Sequence, residues 1–267
     1  MKKALLLLAL AVGACRPTAA PVDPLAAFEP PQGKRAFSLA VDKSQTQFLK
    51  AGDAVEMLVT VTTPKADATS ETKTETLSAR AEVLRVKNDW SEATGLIALA
   101  LTPEEAQFAA LAVEREDRLF LNKITASPGA LARKPEPSEP SLEKDLRGLS
   151  VLAYPDQQEF LAPGDRVDVI AARQGYKAGG KSELTAITLL QNLIVMRAGP
   201  PEGNEEWATV QVMVTAEQAK TLTRAVADEE HLSLTVRASS DKETRPIEPS
   251  KMSRRLGTDG ERAVRRL

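Results

Sequence analysis

The sequence contains one cysteine and one histidine, Cys15 and His231, among 267 residues. A single cysteine forms no internal disulfide, and nucleophilic triads or His- and Cys-rich metal sites need more such residues. The acidic residues lack the spacing of an EF-hand, and no glycine-rich segment joins a strand to a helix as a phosphate loop requires. The composition therefore favours a protein that is not an enzyme and has no metal or cofactor; carboxylate-only calcium sites and, as a third hypothesis, an enzyme that uses carboxylates alone are left open.

Aromatic residues and net charge are also low. Aromatic side chains make up 4% of the chain, and 37 acidic residues against 35 basic ones leave a formal net charge of −2. No basic stripe with interleaved aromatics is present, so we expect no nucleic-acid partner. Residues 241–267 are locally basic and are predicted to form a disordered tail, with a contact to anionic lipid or cell-wall polymer as the alternative.

The N-terminal segment predicts export. Two lysines precede an apolar run from Ala4 to Val12, which is too short to cross a bilayer and typical of a signal peptide, here residues 1–14. Val12-Gly13-Ala14-Cys15 resembles a bacterial lipobox. We expect Cys15 to carry acyl chains, and the proline-rich residues 15–33 to tether the protein to the cell envelope, at the outer membrane and facing the periplasm.

The chain repeats itself. FLKAGDAVEMLVT begins at Phe48, and FLAPGDRVDVIAA begins at Phe160, 112 residues later. Around both stretches the same order is predicted: a strand, a turn, a long hairpin, a further strand, a capped helix and a short strand. The helix starts share a capping-box pattern, with Thr102 and Thr215 as N-caps.

The repeat predicts an α+β, mainly β, protein of two small tandem domains. We place them at residues 34–126 and 146–240, joined by a proline-rich linker at 127–145. Because each copy has its own turn, cap and apolar sheet face, we expect the two to fold independently.

The turns supply most candidate site residues. Ala162-Pro163-Gly164-Asp165 fits a type II turn, and Gly52 is expected to supply the same positive φ in the first repeat. The recurring aspartates indicate either a paired function or, more simply, hydrogen bonds to nearby backbone N–H groups. The candidate binding residues are Gly52, Asp53, Pro163, Gly164, Asp165, Arg166, Asp168, Arg173, Tyr176 and Lys177.

Two further residue types have ordinary interpretations. His231 aligns with Arg118 of the first repeat, which predicts a surface position. Trp90 and Trp207 precede matched strands, and each either anchors an interface or covers one end of a small core.

Several of these stretches resemble a known family. Arg35-Ala36, Phe160, Pro163 to Val169, Leu189 to Val195 and Thr215 to Ala219 look like the corresponding motifs of the CpaB/RcpC family of Flp (Tad) pilus assembly proteins.

The resemblance implies small β-rich domains of SAF or β-clip type and a non-catalytic periplasmic subunit. Its implied partners are the outer-membrane secretin and other pilus-assembly components, contacted mainly through the second repeat. Family members commonly have a membrane anchor and one SAF-like domain, whereas this sequence has a lipobox and two RcpC-like repeats. The alternative is a lipid-anchored module that binds polysaccharide or peptidoglycan and has no part in pilus assembly.

Overall fold

The computed structural model describes residues 28–64, 70–89, 91, 93–124, 140–177, 181–199, 207–228, 230–254 and 264–265. The first repeat comprises β1 (Arg35–Asp42), α1 (Lys43–Thr46), β2 (Ala54–Pro64), β3 (Ser70–Lys87), β4 (Thr94–Leu101), α2 (Pro103–Glu114) and β5 (Arg118–Ile124). The second comprises β6 (Arg147–Ala153), α3 (Pro155–Gln158), β7 (Arg166–Lys177), β8 (Lys181–Gly199), β9 (Ala208–Val214), α4 (Ala216–Ala227) and β10 (His231–Arg237). Two short strands follow, β11 (Ser250–Arg254) and β12 (Val264–Arg265). The predicted mainly β fold is confirmed.

The two repeats have the same topology. Their strand orders are β1-β4-β3-β2-β5 and β6-β9-β8-β7-β10, with every pairing antiparallel. The register also recurs, since Val59 faces Leu119 in one repeat and Ala171 faces Leu232 in the other. Both hairpins are irregular at the equivalent place, just after Val55 and Val167. The duplication seen in the sequence is thus a duplication of the fold.

The capping boxes are present as predicted. In α2 the Thr102 hydroxyl accepts a hydrogen bond from the Glu105 N–H, and the Glu105 carboxylate accepts one from the Thr102 N–H. Helix α4 has the same exchange between Thr215 and Gln218. Two orphan N–H groups are therefore satisfied at each helix start.

The one-turn helices α1 and α3 were not predicted. Each places a glutamine against the last strand of its repeat. The Gln45 amide donates to the Leu119 carbonyl at 3.2 Å and accepts from the Leu121 N–H at 2.8 Å, and Gln157 accepts from the Leu234 N–H at 2.9 Å. The two glutamines thus form hydrogen bonds with backbone groups of β5 and β10, in the way that a neighbouring strand would.

The repeats join into one sheet, and the core of the first repeat extends to side chains of the second. Strand β1 pairs with β10, with Arg35 opposite Arg237. Helix α2 lies in one buried cluster together with three second-repeat side chains, Ile170, Ala172 and Ala186. Helix α2 is thus buried by both repeats rather than by its own alone, and independent folding of the two repeats stays a prediction.

The tail is partly folded. Asp241 is 4% exposed, and β11 pairs with β8. Ser250 donates hydrogen bonds from both its N–H and its hydroxyl to the Gln107 side-chain oxygen of α2. The expected disorder therefore does not hold for residues 241–254; a count of charges could not show that one of them lies in a buried ion network.

Candidate functional site

The candidate turns have the predicted geometry. Gly52 and Gly164 both have φ of 89°, a left-handed conformation that favours glycine. The aspartate that follows each glycine accepts a hydrogen bond from the backbone N–H three positions earlier, at 3.0 Å for Asp53 and 2.7 Å for Asp165. Each turn is also tied to β3 or β8 by a pair of 2.8 Å backbone hydrogen bonds. These contacts account for the recurrence of both residues and, with Pro163 ahead of Gly164, for the motif; binding by these residues stays a prediction.

Arg166 and Asp168 lie at the start of β7 and contact Asn192 of β8. The Arg166 guanidinium donates to the Asn192 side-chain oxygen at 2.7 Å, and the Asn192 N–H donates to the Asp168 carboxylate at 2.9 Å. Asn192 has φ of 62°, a conformation that asparagine tolerates better than most side chains. The neighbouring Gln191 exchanges hydrogen bonds with the backbone of Arg245 and so holds the tail. These contacts explain why the β8 motif contains a glutamine followed by an asparagine.

Asp168 belongs to a buried ion network between the repeats. Arg35 of β1 and Arg237 of β10 both donate to its carboxylate, the latter at 2.8 Å. The same two arginines also reach Asp241, at 2.8 and 3.0 Å. All four residues are at most 4% exposed, so two cations and two anions neutralise each other away from water. Losing one member would leave a buried uncompensated charge, which typically costs about 3–5 kcal/mol.

The network also acts on the titration of Asp241. Burial on its own would raise the pKa of this carboxyl group. The hydrogen bonds and positive charges of Arg237 and Arg35 outweigh that effect and hold the pKa below its usual value. Asp241 therefore stabilises the fold when ionised, and this contribution is lost as the pH falls through its folded-state pKa.

An aromatic side chain of the second repeat also contacts the first repeat. Phe160 of the second repeat packs on the outer face of the first-repeat sheet, and the Arg85 guanidinium lies 4.8 Å from its ring centroid. The buried members of that face are Ala36, Leu84, Ala98 and Ala100. Nearby, Lys87 and Glu159 form an ion pair of 2.5 Å between the repeats. The inter-repeat contact thus combines an apolar face, a cation–π contact and ion pairs.

A second group of contacts between repeats surrounds the end of α2. The Glu114 carboxylate is 2.5 Å from Nδ1 of His231 and accepts a hydrogen bond from the Tyr154 hydroxyl at 3.1 Å. Trp207 packs against both rings, with centroids 4.7 Å from Tyr154 and 5.8 Å from His231. Burial raises the pKa of Tyr154, and the charge of Glu114 raises it further. His231 is exposed, as predicted, and Trp207 packs on the two side chains that contact Glu114.

A cleft of about 640 Å³ opens next to this group. Its walls come from β1, α1, the end of α2 and the start of β5, and the second repeat contributes Asp156. Burial raises the pKa of Asp156 to about 6, although the N–H groups of Ala40 and Gln157 that donate to its carboxylate oppose this. The cleft has carboxylates and apolar side chains but, among the described residues, no cluster of His, Cys, Asp or Glu that could hold a metal ion.

The remaining candidates lie at or beyond the edge of the described structure. Arg173 forms an ion pair with Glu230. Tyr176 and Lys177 lie in the β7–β8 hairpin, where their backbones face Ser182 and Lys181. Cys15 and Trp90 lie outside the described residues. Within the described part of the chain, no helix is long and apolar enough to span a membrane.

The sequence analysis missed the partners of Asp168. Arg35 was noted only as part of a motif, and Arg237 and Asp241 were not singled out. A signal was available, because an arginine within the apolar strand Leu232-Ser233-Leu234-Thr235-Val236-Arg237 is costly to bury unless it is paired.

Comparisons with known proteins agree with this architecture. A family model described as "Flp pilus assembly protein RcpC/CpaB" matches residues 27–121 and 144–241. Together these two segments make up more than two thirds of the chain and contain one repeat each. No significant match was found among curated proteins or among solved structures.

Proposed function

Because this chain belongs to the RcpC/CpaB family of Flp pilus assembly proteins, we propose that it is a non-catalytic adaptor subunit of a Flp-type pilus assembly apparatus. Its role is to hold other components in place at the cell envelope, and its main partner is the outer-membrane secretin or a periplasmic neighbour of it. The observation that carries the proposal is the family match over both repeats. A rigid adaptor is supported by the continuous sheet of the two repeats and by the burial of α2 against both.

The proposal includes a lipid anchor on Cys15, with the folded part of the protein in the periplasm. The lipobox-like stretch before Cys15 and the five prolines between residues 17 and 31 support it. Metabolic labelling with a fatty acid should mark the parent protein and not the Cys15→Ala variant. Equal labelling of both would refute the anchor and leave the adaptor role to be judged by its own experiment.

The proposed partner surface is the β7–β8 hairpin, from Arg173 to Ser182. Its register places two lysines opposite each other, Lys177 and Lys181, near the hairpin tip. Cations at neighbouring positions favour an acidic surface on the partner and speed the encounter. Hairpin tips also tolerate substitution, so this surface can be changed without loss of the fold.

The test is a pull-down from envelope extracts with the tagged full-length protein in detergent. The parent should recover secretin components, and Lys177→Glu/Lys181→Glu should recover much less because its hairpin repels an acidic surface. Lys73→Glu, in the hairpin of the first repeat, is the matched control and should behave as the parent. Equal recovery by the double variant would show that the hairpin is the wrong surface, and absence of every pilus component would refute the adaptor role.

The alternative role is polysaccharide or peptidoglycan binding. The Tyr154–Trp207 pair beside the acidic cleft favours it, since aromatic faces at a surface commonly contact sugars and apolar ligand parts. In the same pull-down, recovery of peptidoglycan fragments without a secretin component would favour this role over assembly.

A further inference from the structure

Four residues of the contact between the two repeats form two pairs, with one member of each pair from each repeat. The second repeat contributes Phe160 and Asp168, which we name the wedge side. The first repeat contributes Arg85 and Arg35, which we name the clamp side. Arg85 lies over the Phe160 ring, and Arg35 donates to the Asp168 carboxylate.

The duplication has kept the counterparts of all four residues. At the same offset of 112 residues, the first repeat has its own wedge side, Phe48 and Glu56, and the second has its own clamp side, Arg197 and Arg147. The chemistry is preserved at every position: an aromatic ring, a carboxylate and two arginines. Within one copy, the wedge side of the second repeat contacts the clamp side of the first repeat. The wedge side of the first repeat and the clamp side of the second are not in contact with each other.

The wedge side of the first repeat and the clamp side of the second are both at the surface. Phe48 is 78% exposed, whereas its counterpart Phe160 is partly buried against the other repeat. Arg147 and Arg197 are exposed, and Glu56 is partly exposed. Phe48 therefore leaves a large aromatic ring unpacked on the first repeat, although the equivalent ring of the second repeat packs on a neighbouring unit.

We propose that the wedge side of the first repeat docks on the clamp side of the second repeat in another copy of this chain. Phe48 then lies against Arg197, and Glu56 pairs with Arg147, as Phe160 and Asp168 do with Arg85 and Arg35 inside each copy. Each copy offers one wedge side and one clamp side, so the contact is heterologous and runs head to tail.

The acceptor face can accommodate the ring. Gly148 stands where the first repeat has Ala36, and the Met196 and Gln211 side chains lie over it, 3.2 and 3.1 Å from the position that a Cβ atom would take. Methionine is flexible and polarizable and adapts to an incoming aromatic ring. The face therefore needs a movement of side chains rather than of backbone.

The polar differences between the repeats fit the same arrangement. Inside the chain, Gln107 of α2 donates to the Thr188 hydroxyl at 2.9 Å. The counterparts are Lys220 on α4 and Thr76, and the Thr76 hydroxyl donates to Glu56 at 3.4 Å. Across two copies a lysine would thus face a threonine beside a carboxylate, which is complementary in charge. Because this contact is more polar than the internal one, we expect it to be weaker and sensitive to salt.

The first test measures self-association of the full-length protein in detergent by sedimentation. Phe48→Ser should raise the dissociation constant at least about 30-fold, as expected for a central aromatic anchor. Val226→Ser, which removes another large exposed apolar side chain on α4, is the matched control and should associate as the parent does. A parent that stays monomeric up to about 1 mM, where the free energy of association would be weaker than about −4 kcal/mol, would overturn the proposal, as would unchanged association of Phe48→Ser.

Mixing distinguishes a head-to-tail contact from a symmetric one. Phe48→Ser has a defective wedge side and an intact clamp side; Arg147→Glu has the reverse. Each should fail to associate alone, and the two together should form a 1:1 dimer that does not grow. A further variant, Glu56→Arg/Arg147→Glu, should regain association because the ion pair is re-formed with reversed signs. Failure of both the mixture and the double variant would refute the proposed pairing.

A photo-cross-linking residue at position 48 tests the occupant in cells. The expected product joins two copies, with position 48 linked to peptides containing Gly148, Met196 or Gln211. A product in which position 48 is linked only to a different protein would refute self-association through this surface.

Discussion

Helices α2 and α4 occupy the same place in their repeats, begin with the same capping box and have the same length of 12 residues. Their surroundings differ. Seven residues of α2 are buried, whereas in α4 only Leu222 and Ala225 are. The difference arises on one face: α2 has Gln107, Ala110 and Leu111 where α4 has Lys220, Thr223 and Arg224.

This comparison shows how a duplicated unit acquires two roles. A helix with a second apolar face must have that face covered, and a helix with a polar face in the same place can remain at a surface. In α2 the additional apolar face packs on β7 and β8 of the second repeat and so extends the core of the first repeat across the contact. In α4 the corresponding face has Lys220 and Arg224, and it is exposed.

The ion network shows the same asymmetry. Asp168 is 2% exposed and bonded to two arginines, whereas its first-repeat counterpart Glu56 is partly exposed and accepts hydrogen bonds from Thr76 and Asn122 at 3.4 and 3.3 Å. Equivalent carboxylates thus stabilise the structure to very different extents, since an ion pair matters most where its loss leaves a buried charge.

The largest expected effect tests that asymmetry. Asp168→Ala should lower the free energy of unfolding by about 3–5 kcal/mol, because Arg35 and Arg237 lose their shared partner away from water. Glu56→Ala, the matched control, should change it by at most about 0.5 kcal/mol, as is usual for surface substitutions. Urea denaturation of the full-length protein in detergent, followed by tryptophan fluorescence, measures both. Equal losses for the two variants would contradict the assignment of Asp168 to a buried inter-repeat network.

Local features of this fold could be predicted from the sequence, and long-range ones could not. The positive φ of Gly52 and Gly164 follows from the turn type, and the two capping boxes follow from Thr102 and Thr215, because these signals span only a few residues. The strand order within each repeat has no such signal, yet the register recurs because the spacing of the repeat was kept.

The contact between the two repeats could not be predicted from the periodicity of apolar residues. Asp168 was a candidate for binding, but nothing local indicates that its partners lie on β1 and β10, 133 and 69 residues away. The one-turn helices α1 and α3 are too short to show a helical period. One signal was present and was not used: Ala109, Ala110, Leu111 and Ala112 are consecutive apolar residues, and a surface helix does not have them.

A substitution on the additional apolar face of α2 should have a smaller effect on the free energy of unfolding. It tests the difference between α2 and α4 directly. Leu111 is fully buried, and its counterpart Arg224 has a side chain that is 84% exposed. Leu111→Ala removes buried methyl groups and leaves a cavity between the repeats, so the free energy of unfolding should fall by about 3 kcal/mol.

Arg224→Ala is the control at the equivalent position and should stay within about 0.5 kcal/mol of the parent, because its ion pair with Asp228 is exposed and screened. Both values come from the same urea denaturation, and the shape of the curve adds a second readout. If α2 joins the repeats into one core, the Leu111→Ala protein should still unfold in a single transition at lower urea. Two separate transitions in the parent protein would show that the repeats are energetically independent despite their shared sheet, and the difference between α2 and α4 would then have no consequence for folding.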